Sequence, residues 1–206
     1  IDTKDINLSQ QNKYNGIYYR AINDLGLINI KKNIEIAINY IKEAAYSEYP
    51  FAQNNFGLIY KFYLNDDEKA LYMFGRSSEH NFPLAYFNIG YIYENKGEIE
   101  KSIEYYEKAS INENEPLVFR NEQIDDERIK MSIKFIACIT NLKLIEFFVS
   151  KNDIKKGKQY FIKLMNSLKY RPSNIDEKKL RSLSYLKHYI LMNFNLNDNH
   201  ISRHTN

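Results

Sequence analysis

The sequence contains no tryptophan, one cysteine, four prolines and seven glycines among its 206 residues. A single cysteine excludes an internal disulfide, and the apolar run from Phe135 to Ile139 around Cys138 predicts a small buried side chain. No stretch approaches the roughly 18 uninterrupted apolar residues that a membrane-spanning helix needs. Because 44% of its residues are hydrophobic, the chain can nevertheless bury a sizeable core.

Sequence signatures of catalysis and metal binding are also scarce. The glycines are isolated and none precedes a Lys-Ser/Thr pair, which argues against a phosphate-binding loop. His200 and His204 stand four residues apart, but no third metal ligand is near them. We therefore expect no enzyme activity, no catalytic residue, no metal site and no cofactor.

The first residues carry no basic-then-apolar secretory signal, which favours a cytoplasmic location. The sequence starts at Ile1 rather than at a methionine, so a leader or an upstream domain is also compatible with it. A leader ahead of Ile1 would instead indicate an exported protein.

What the sequence does contain is an internal repeat. The segments Pro50–Tyr60 and Pro83–Tyr93 share one pattern at an offset of 33 residues, and Ala21–Gly26 is a looser copy. Pro50, Pro83 and Pro116 keep the same spacing. A fixed period of about 30 to 40 residues with helical content predicts stacked helical units that share one core.

Apolar residues recur at spacings of three and four, which predicts antiparallel helices along the chain. The predicted helices cover residues 10–28, 34–46, 51–62, 68–79, 83–95, 98–110, 126–150, 153–170 and 175–195. On the first of them, Ile17, Tyr18, Ala21, Leu25 and Ile28 share one face. Residues 1–9 are predicted to be an irregular lead-in, and Leu117–Phe119 are a candidate start of a further repeat helix.

Three of the seven glycines, Gly26, Gly57 and Gly90, occupy the same position inside a predicted helix. A glycine inside a helix costs about 1 kcal/mol relative to alanine. We therefore expect a neighbouring helix to approach closely at each of these positions.

These residues resemble Sel1-like repeats, the relatives of tetratricopeptide repeats, over about residues 14–116. The shared pattern is Ala-x-x-x-Φ-Gly-x-x-Tyr, where Φ is a bulky apolar residue, followed by a second helix with small residues at both ends. The first copy departs from this pattern, because Asn29 replaces the tyrosine that is Tyr60 and Tyr93 in the other copies. The resemblance implies an all-α, right-handed α-solenoid of antiparallel helix pairs with a divergent C-terminal helical cap. The implied division is 1–116 for the repeats, 117–196 for divergent repeats or capping helices, and 197–206 for a flexible tail.

The resemblance also implies a non-enzymatic scaffold or adaptor that binds a protein or peptide in a concave groove. The alternative is a peptide-sensing domain of a larger regulator, and self-association is left open. The groove positions lie three residues before the shared glycine and one, four and five after it. The candidate partner-binding residues are Asn23, Leu27, Ile30, Lys31, Asn54, Leu58, Lys61, Phe62, Phe87, Tyr91, Glu94 and Asn95. By contrast, Asp24, Asn55 and Asn88 recur two residues before each glycine and are interpreted as structural.

Charge is distributed unevenly along the chain. Residues 1–142 carry 16 basic and 21 acidic residues, for a net charge of −5, whereas residues 143–206 carry 13 and 5, for +8. Lysines on solvated helix faces explain this excess, and contact with an acidic partner or with phosphates is the alternative. No nucleic-acid-binding motif accompanies the charge, so we expect no nucleic-acid partner.

Overall fold

The structure, a computed structural model, describes the backbone of residues 3–110, 118–119, 122–123 and 127–167. Eight helices lie in these ranges: α1 Thr3–Asn29, α2 Ile34–Tyr46, α3 Pro50–Phe62, α4 Asp67–Ser78, α5 Pro83–Asn95, α6 Ile99–Ala109, α7 Glu127–Ser150 and α8 Ile154–Ser167. Helices α1 to α5 pack in succession, as in a tetratricopeptide-like α-solenoid, and α7 packs against α8, so the predicted all-α fold is confirmed. The predicted helix 175–195, the tail 197–206 and Pro116 lie outside the described residues.

The chain divides into two compact units. The first comprises residues 1–102 and 115–125, and the second comprises 103–114 and 126–206. The first unit therefore contains α1 to α5, and the second contains α7 and α8 with most of α6. The domain boundary that the sequence predicts at residue 116 stays a prediction.

Local chemistry explains where the helices begin. Pro50 and Pro83 occupy the first turns of α3 and α5, where a missing amide proton costs nothing. The Asn33 side chain accepts hydrogen bonds from the backbone amides of Glu35 and Ile36 at the start of α2. Asp66 accepts from the amide of Lys69 in the same way at the start of α4.

The connections after these helices share one backbone device. Each places a residue in the left-handed region just after a helix: Glu48, Asn65, Asn81, Gly97 and Asn152, with φ between 51° and 75°. Gly97, which follows α5, is a glycine in this position, where a left-handed backbone carries no steric cost. After Glu48, Gly97 and Asn152, the backbone amide of the following residue donates to the carbonyl five residues before it, as Glu98 N does to Tyr93 O at 2.9 Å. These closures reverse the chain within a few residues, so consecutive helices run antiparallel.

Close contacts at glycine hold the paired helices of the first unit together. A Cβ on Gly57 of α3 would lie 2.5 Å from Cε1 of Phe74 on α4. A Cβ on Gly26 of α1 would lie 2.4 Å from Cγ1 of Ile41 on α2. Both distances are far shorter than ordinary van der Waals contact, so the predicted close approach is confirmed at these two glycines.

Two sequence predictions about α1 and the region after α6 were wrong. The helix begins at Thr3 rather than near Gln10, because a helix nucleated by its packed half extends into polar residues at little cost. Val118 and Phe119 form a short strand, β1, paired with β2 at Glu122 and Gln123, rather than starting a helix. Leu117 lies outside the described residues.

The second unit is built around the packing of α7 against α8. The ring of Phe148 on α7 stacks on Tyr160 of α8, with 5.6 Å between ring centroids and an interplanar angle of 6°. Ser110 donates to Oδ1 of Asn141 at 2.7 Å, and both side chains are buried. Cys138 is fully buried, which confirms the interpretation of this residue as a small core side chain.

Tyr160 also donates a hydrogen bond to the Glu107 carboxylate at 2.7 Å. Burial, the largest cause, then the hydrogen bond and the charge of Glu107 raise the pKa of Tyr160 above its usual value of 10.0. The folded state therefore retains the Tyr160 proton at a pH where the unfolded chain releases it.

We expect Gly57→Ala to destabilise the chain and Gly75→Ala to stabilise it. Overpacking against Phe74 costs about 1–3 kcal/mol, which outweighs the gain of about 1 kcal/mol in helix propensity. Gly75 lies inside α4, and apart from the backbone of its own helix and its chain neighbours nothing lies within 4 Å of the place where its Cβ would stand. Only the gain in helix propensity therefore applies to Gly75→Ala. Urea denaturation followed by circular dichroism measures both changes. Equal stabilisation by the two variants would contradict the close contact.

We expect the stabilising contribution of Tyr160 to be intact below pH 10 and to be lost as the pH rises above it. The free energy of unfolding falls with rising pH in this range because the pKa of Tyr160 is higher in the folded than in the unfolded state. Urea denaturation from pH 8 to pH 11 should give a steeper loss of stability for the parent chain than for Tyr160→Phe. Parallel pH profiles for the two proteins would refute this assignment.

Candidate functional site

The sequence-predicted groove residues all lie on the first helix of each repeat or directly after it, and the structure separates them by burial. Asn23, Asn54 and Phe87 are buried; Ile30, Leu58, Lys61, Tyr91 and Glu94 are half-buried; Leu27, Lys31, Phe62 and Asn95 are exposed. The buried positions all lie three residues before the shared glycine. The accessible positions all follow it.

The buried asparagines connect consecutive first helices. Asn55 on α3 donates through Nδ2 to Oδ1 of Asn23 on α1 at 2.9 Å. Asn88 on α5 donates in the same way to Oδ1 of Asn54 on α3 at 2.8 Å. We call these two bonds the asparagine ladder. It fixes the register of α1, α3 and α5, and it occupies the carbonyl oxygens of two side chains that the sequence assigned to partner binding.

The accessible positions form an equivalent row on the same three helices. Leu27, Leu58 and Tyr91 each stand one residue after the shared glycine; Leu27 is exposed, and the other two are half-buried. Lys61, three residues beyond Leu58, forms an ion pair with Asp67 at 2.8 Å. The row therefore offers apolar and aromatic surface, with the lysine charge beside it already balanced.

An exposed apolar run extends this row at the end of α3. Phe62, Tyr63 and Leu64 are consecutive, and all three are exposed. Natural and designed sequences avoid three consecutive exposed apolar residues unless they serve a function. Sequence reasoning included Phe62 but missed Tyr63 and Leu64. The signal for them was a bulky apolar triplet directly ahead of a polar turn.

The turn that carries this run is held by several bonds. The amide of Asp66 donates to the Tyr60 carbonyl at 2.8 Å. Hydrogen bonds from the side chain and backbone amide of Lys69 lower the pKa of Asp66. Burial is the largest of the causes that raise the pKa of Tyr60, and the Lys69 ammonium lies 5.7 Å from its ring centroid. The run is consequently presented by an ordered turn.

The described ranges contain no group of three or more His, Cys, Asp or Glu residues placed to hold a metal ion. His200 and His204 lie outside these ranges. No helix within the described part of the chain is long and apolar enough to cross a membrane.

We expect the asparagine ladder to appear as an energetic coupling between Asn54 and Asn88. A double-mutant cycle with Asn54→Ala and Asn88→Ala should give about 0.5–1.5 kcal/mol of coupling, the net value of one hydrogen bond. Urea denaturation of the four proteins measures it. The matched control is Asn23→Ala with Asn88→Ala, which share no bond and should add within about 0.5 kcal/mol. Coupling of the same size in both cycles would contradict the ladder.

Comparison with known proteins gives one family match. A family model described as tetratricopeptide repeat matches residues 84–110, which span most of α5 and all of α6. No match is found among curated proteins. Tetratricopeptide repeats generally mediate protein–protein interaction and are generally non-enzymatic. The match and the succession of packed helix pairs together support a tetratricopeptide-like helical repeat protein.

Proposed function

We propose that this chain is a non-enzymatic interaction module that binds an extended segment of a partner protein across the C-terminal ends of its first helices. The observation that carries the proposal is the exposed run Phe62–Leu64, which continues the row Leu27, Leu58 and Tyr91. Contiguous exposed apolar surface on a protein of this kind is typical of an interaction site.

The surface favours a partner segment with apolar side chains. Aromatic residues supply large contact area and are enriched among the residues that dominate binding energy. Lys61 is paired with Asp67, so an acidic partner would have to compete with an existing ion pair. Asn23, Asn54 and Phe87 support this surface from beneath, because they are buried between the helices.

The asparagine ladder and the ordered turn after α3 reduce the cost of binding. A surface that is already held in its bound geometry loses little conformational entropy when a partner docks. Mobile side chains at the same positions would lose conformational entropy each time a partner binds.

We also propose that the repeats are of the Sel1-like subtype. Gly26 and Gly57 take part in close contacts with the second helix of their own pair, and Gly90 is buried at the equivalent position. Ala52 and Ala85, five residues before Gly57 and Gly90, are fully buried, as close packing of small residues requires.

Selection from a random peptide library, followed by fluorescence anisotropy with the selected peptides, tests the binding surface. We expect apolar peptides to be selected, and Leu58→Asp with Phe62→Ser to weaken their binding at least about tenfold, because buried anchors dominate such interfaces. The matched control is Tyr72→Ser, since Tyr72 on α4 is at least as exposed as Phe62 but lies on a second helix.

The control should change the dissociation constant by less than about twofold, as expected for a residue outside an interface. Equal losses in the control and in the double variant would refute the proposed surface. Circular dichroism of each variant checks that the helices are intact. Peptide binding that is indifferent to both sets of substitutions would place the site elsewhere.

A further inference from the structure

Helix α1 carries an apolar stripe on its exposed side. We define the α1 stripe as Ile17, Ala21, Leu25 and Ile28, which are spaced by four, four and three residues and so share one helix face. Ile17 is 58% exposed, Leu25 46% and Ile28 61%, and Ala21 is exposed too. The sequence identified this face from its periodicity, but α1 packs through Ile22, Asn23 and Gly26 instead.

The equivalent stripes on the other first helices are buried. Alignment on the shared glycine places Ala52, Phe56 and Ile59 of α3 at the positions of Ala21, Leu25 and Ile28. Alignment on Gly90 adds Ala85, Ile89 and Ile92 of α5, and all six residues are at most 4% exposed.

The α3 stripe faces the preceding helix. The ring of Phe56 lies 6.3 Å from that of Tyr46 on α2, centroid to centroid, in an edge-on arrangement. The α1 stripe therefore continues, by one repeat, a surface that serves as a helix–helix interface elsewhere in the same unit. Its composition is that of an interface and not of a solvated face.

We infer that the α1 stripe is the contact surface for a second copy of this chain, with the two α1 helices crossing antiparallel at Ala21. A twofold contact requires a surface that complements itself, with residue i facing j and j facing i. Bulky Ile17 and Leu25 stand at equal distances on either side of the small Ala21. In an antiparallel pair, Ile17 of each copy thus faces Leu25 of the other.

The centre of this contact suits a close crossing. Small side chains at a crossing point let two helices approach, while larger ones on both sides fill the remaining space. The four residues of the stripe are uncharged, while Asp24, on the same side of α1, is half-buried and accepts a hydrogen bond from Asn23 at 3.5 Å. The inference does not rest on the proposed peptide-binding surface, because Leu27 lies on another side of α1 from the stripe.

Sedimentation velocity of the full chain tests the pairing. The expected species has twice the monomer mass of 24.6 kDa. Leu25→Glu should raise the dimer dissociation constant at least about tenfold, since it places a charge in the apolar contact. The matched control is Ile162→Glu on α8, where the parent residue is 48% exposed, close to the value for Leu25. Circular dichroism verifies that both variants keep their helices.

A cysteine variant tests the register. Ala21 lies on the twofold axis, so Ala21→Cys should form a disulfide with its own counterpart, while Ile162→Cys should not. Cys138 is buried and does not compete for the reaction.

A monomer at chain concentrations up to about 100 µM would overturn the inference, because dimer formation depends on protomer concentration. Equal effects of Leu25→Glu and Ile162→Glu would do the same. A dimer that Ala21→Cys fails to cross-link would refute the antiparallel pairing. A chain that stays monomeric but binds a synthetic peptide of residues 33–47, which contains α2, would also overturn it. The stripe would then be the contact surface for an α2-like helix of another polypeptide.

Discussion

The close approach of two helices at a glycine determines how the first unit is assembled. Phe74 lies where a side chain at position 57 would begin, and Ile41 has the same relation to position 26. The missing Cβ lets each pair of helices come near enough for large apolar side chains to fill the space around the contact. Phe74, at the Gly57 contact, and Ile41, at the Gly26 contact, are both buried. The loss of helix propensity at glycine is offset by this packing.

Two further constraints convert the pairs into an ordered array. Left-handed residues close the turns after α2, α3, α4 and α5 in a few residues, so the chain reverses there without a long flexible connection. The asparagine ladder then ties the first helices to one another, from α1 to α3 and from α3 to α5. Each amide in the ladder is specific in both distance and direction, whereas apolar packing alone tolerates small shifts along the helix axis. Polar side chains near the core therefore fix the register of the repeats.

The same arrangement decides which positions remain available to partners. Among the predicted groove positions, those three residues ahead of the shared glycine are buried, while those after it are half-buried or exposed. The run Phe62–Leu64 lies beyond the packed part of α3, which is why three apolar residues in succession are exposed there. The α1 stripe is exposed for a different reason, since no second helix precedes α1 in the described chain. The two surfaces lie on different sides of α1 and need not compete.

The sequence by itself determined the repeat period, the positions of most of the described helices and the close contacts at Gly26 and Gly57. These features depend on local spacing and on residues with restricted or unusual backbone behaviour, and such signals are contained within a few turns of chain. Only the tertiary structure decided that Asn23 and Asn54 are enclosed and bonded to Asn55 and Asn88. It alone decided that Ile17, Leu25 and Ile28 are exposed while their counterparts are buried. Periodicity identifies an apolar face, but burial depends on which neighbour covers it, and that neighbour is distant in sequence.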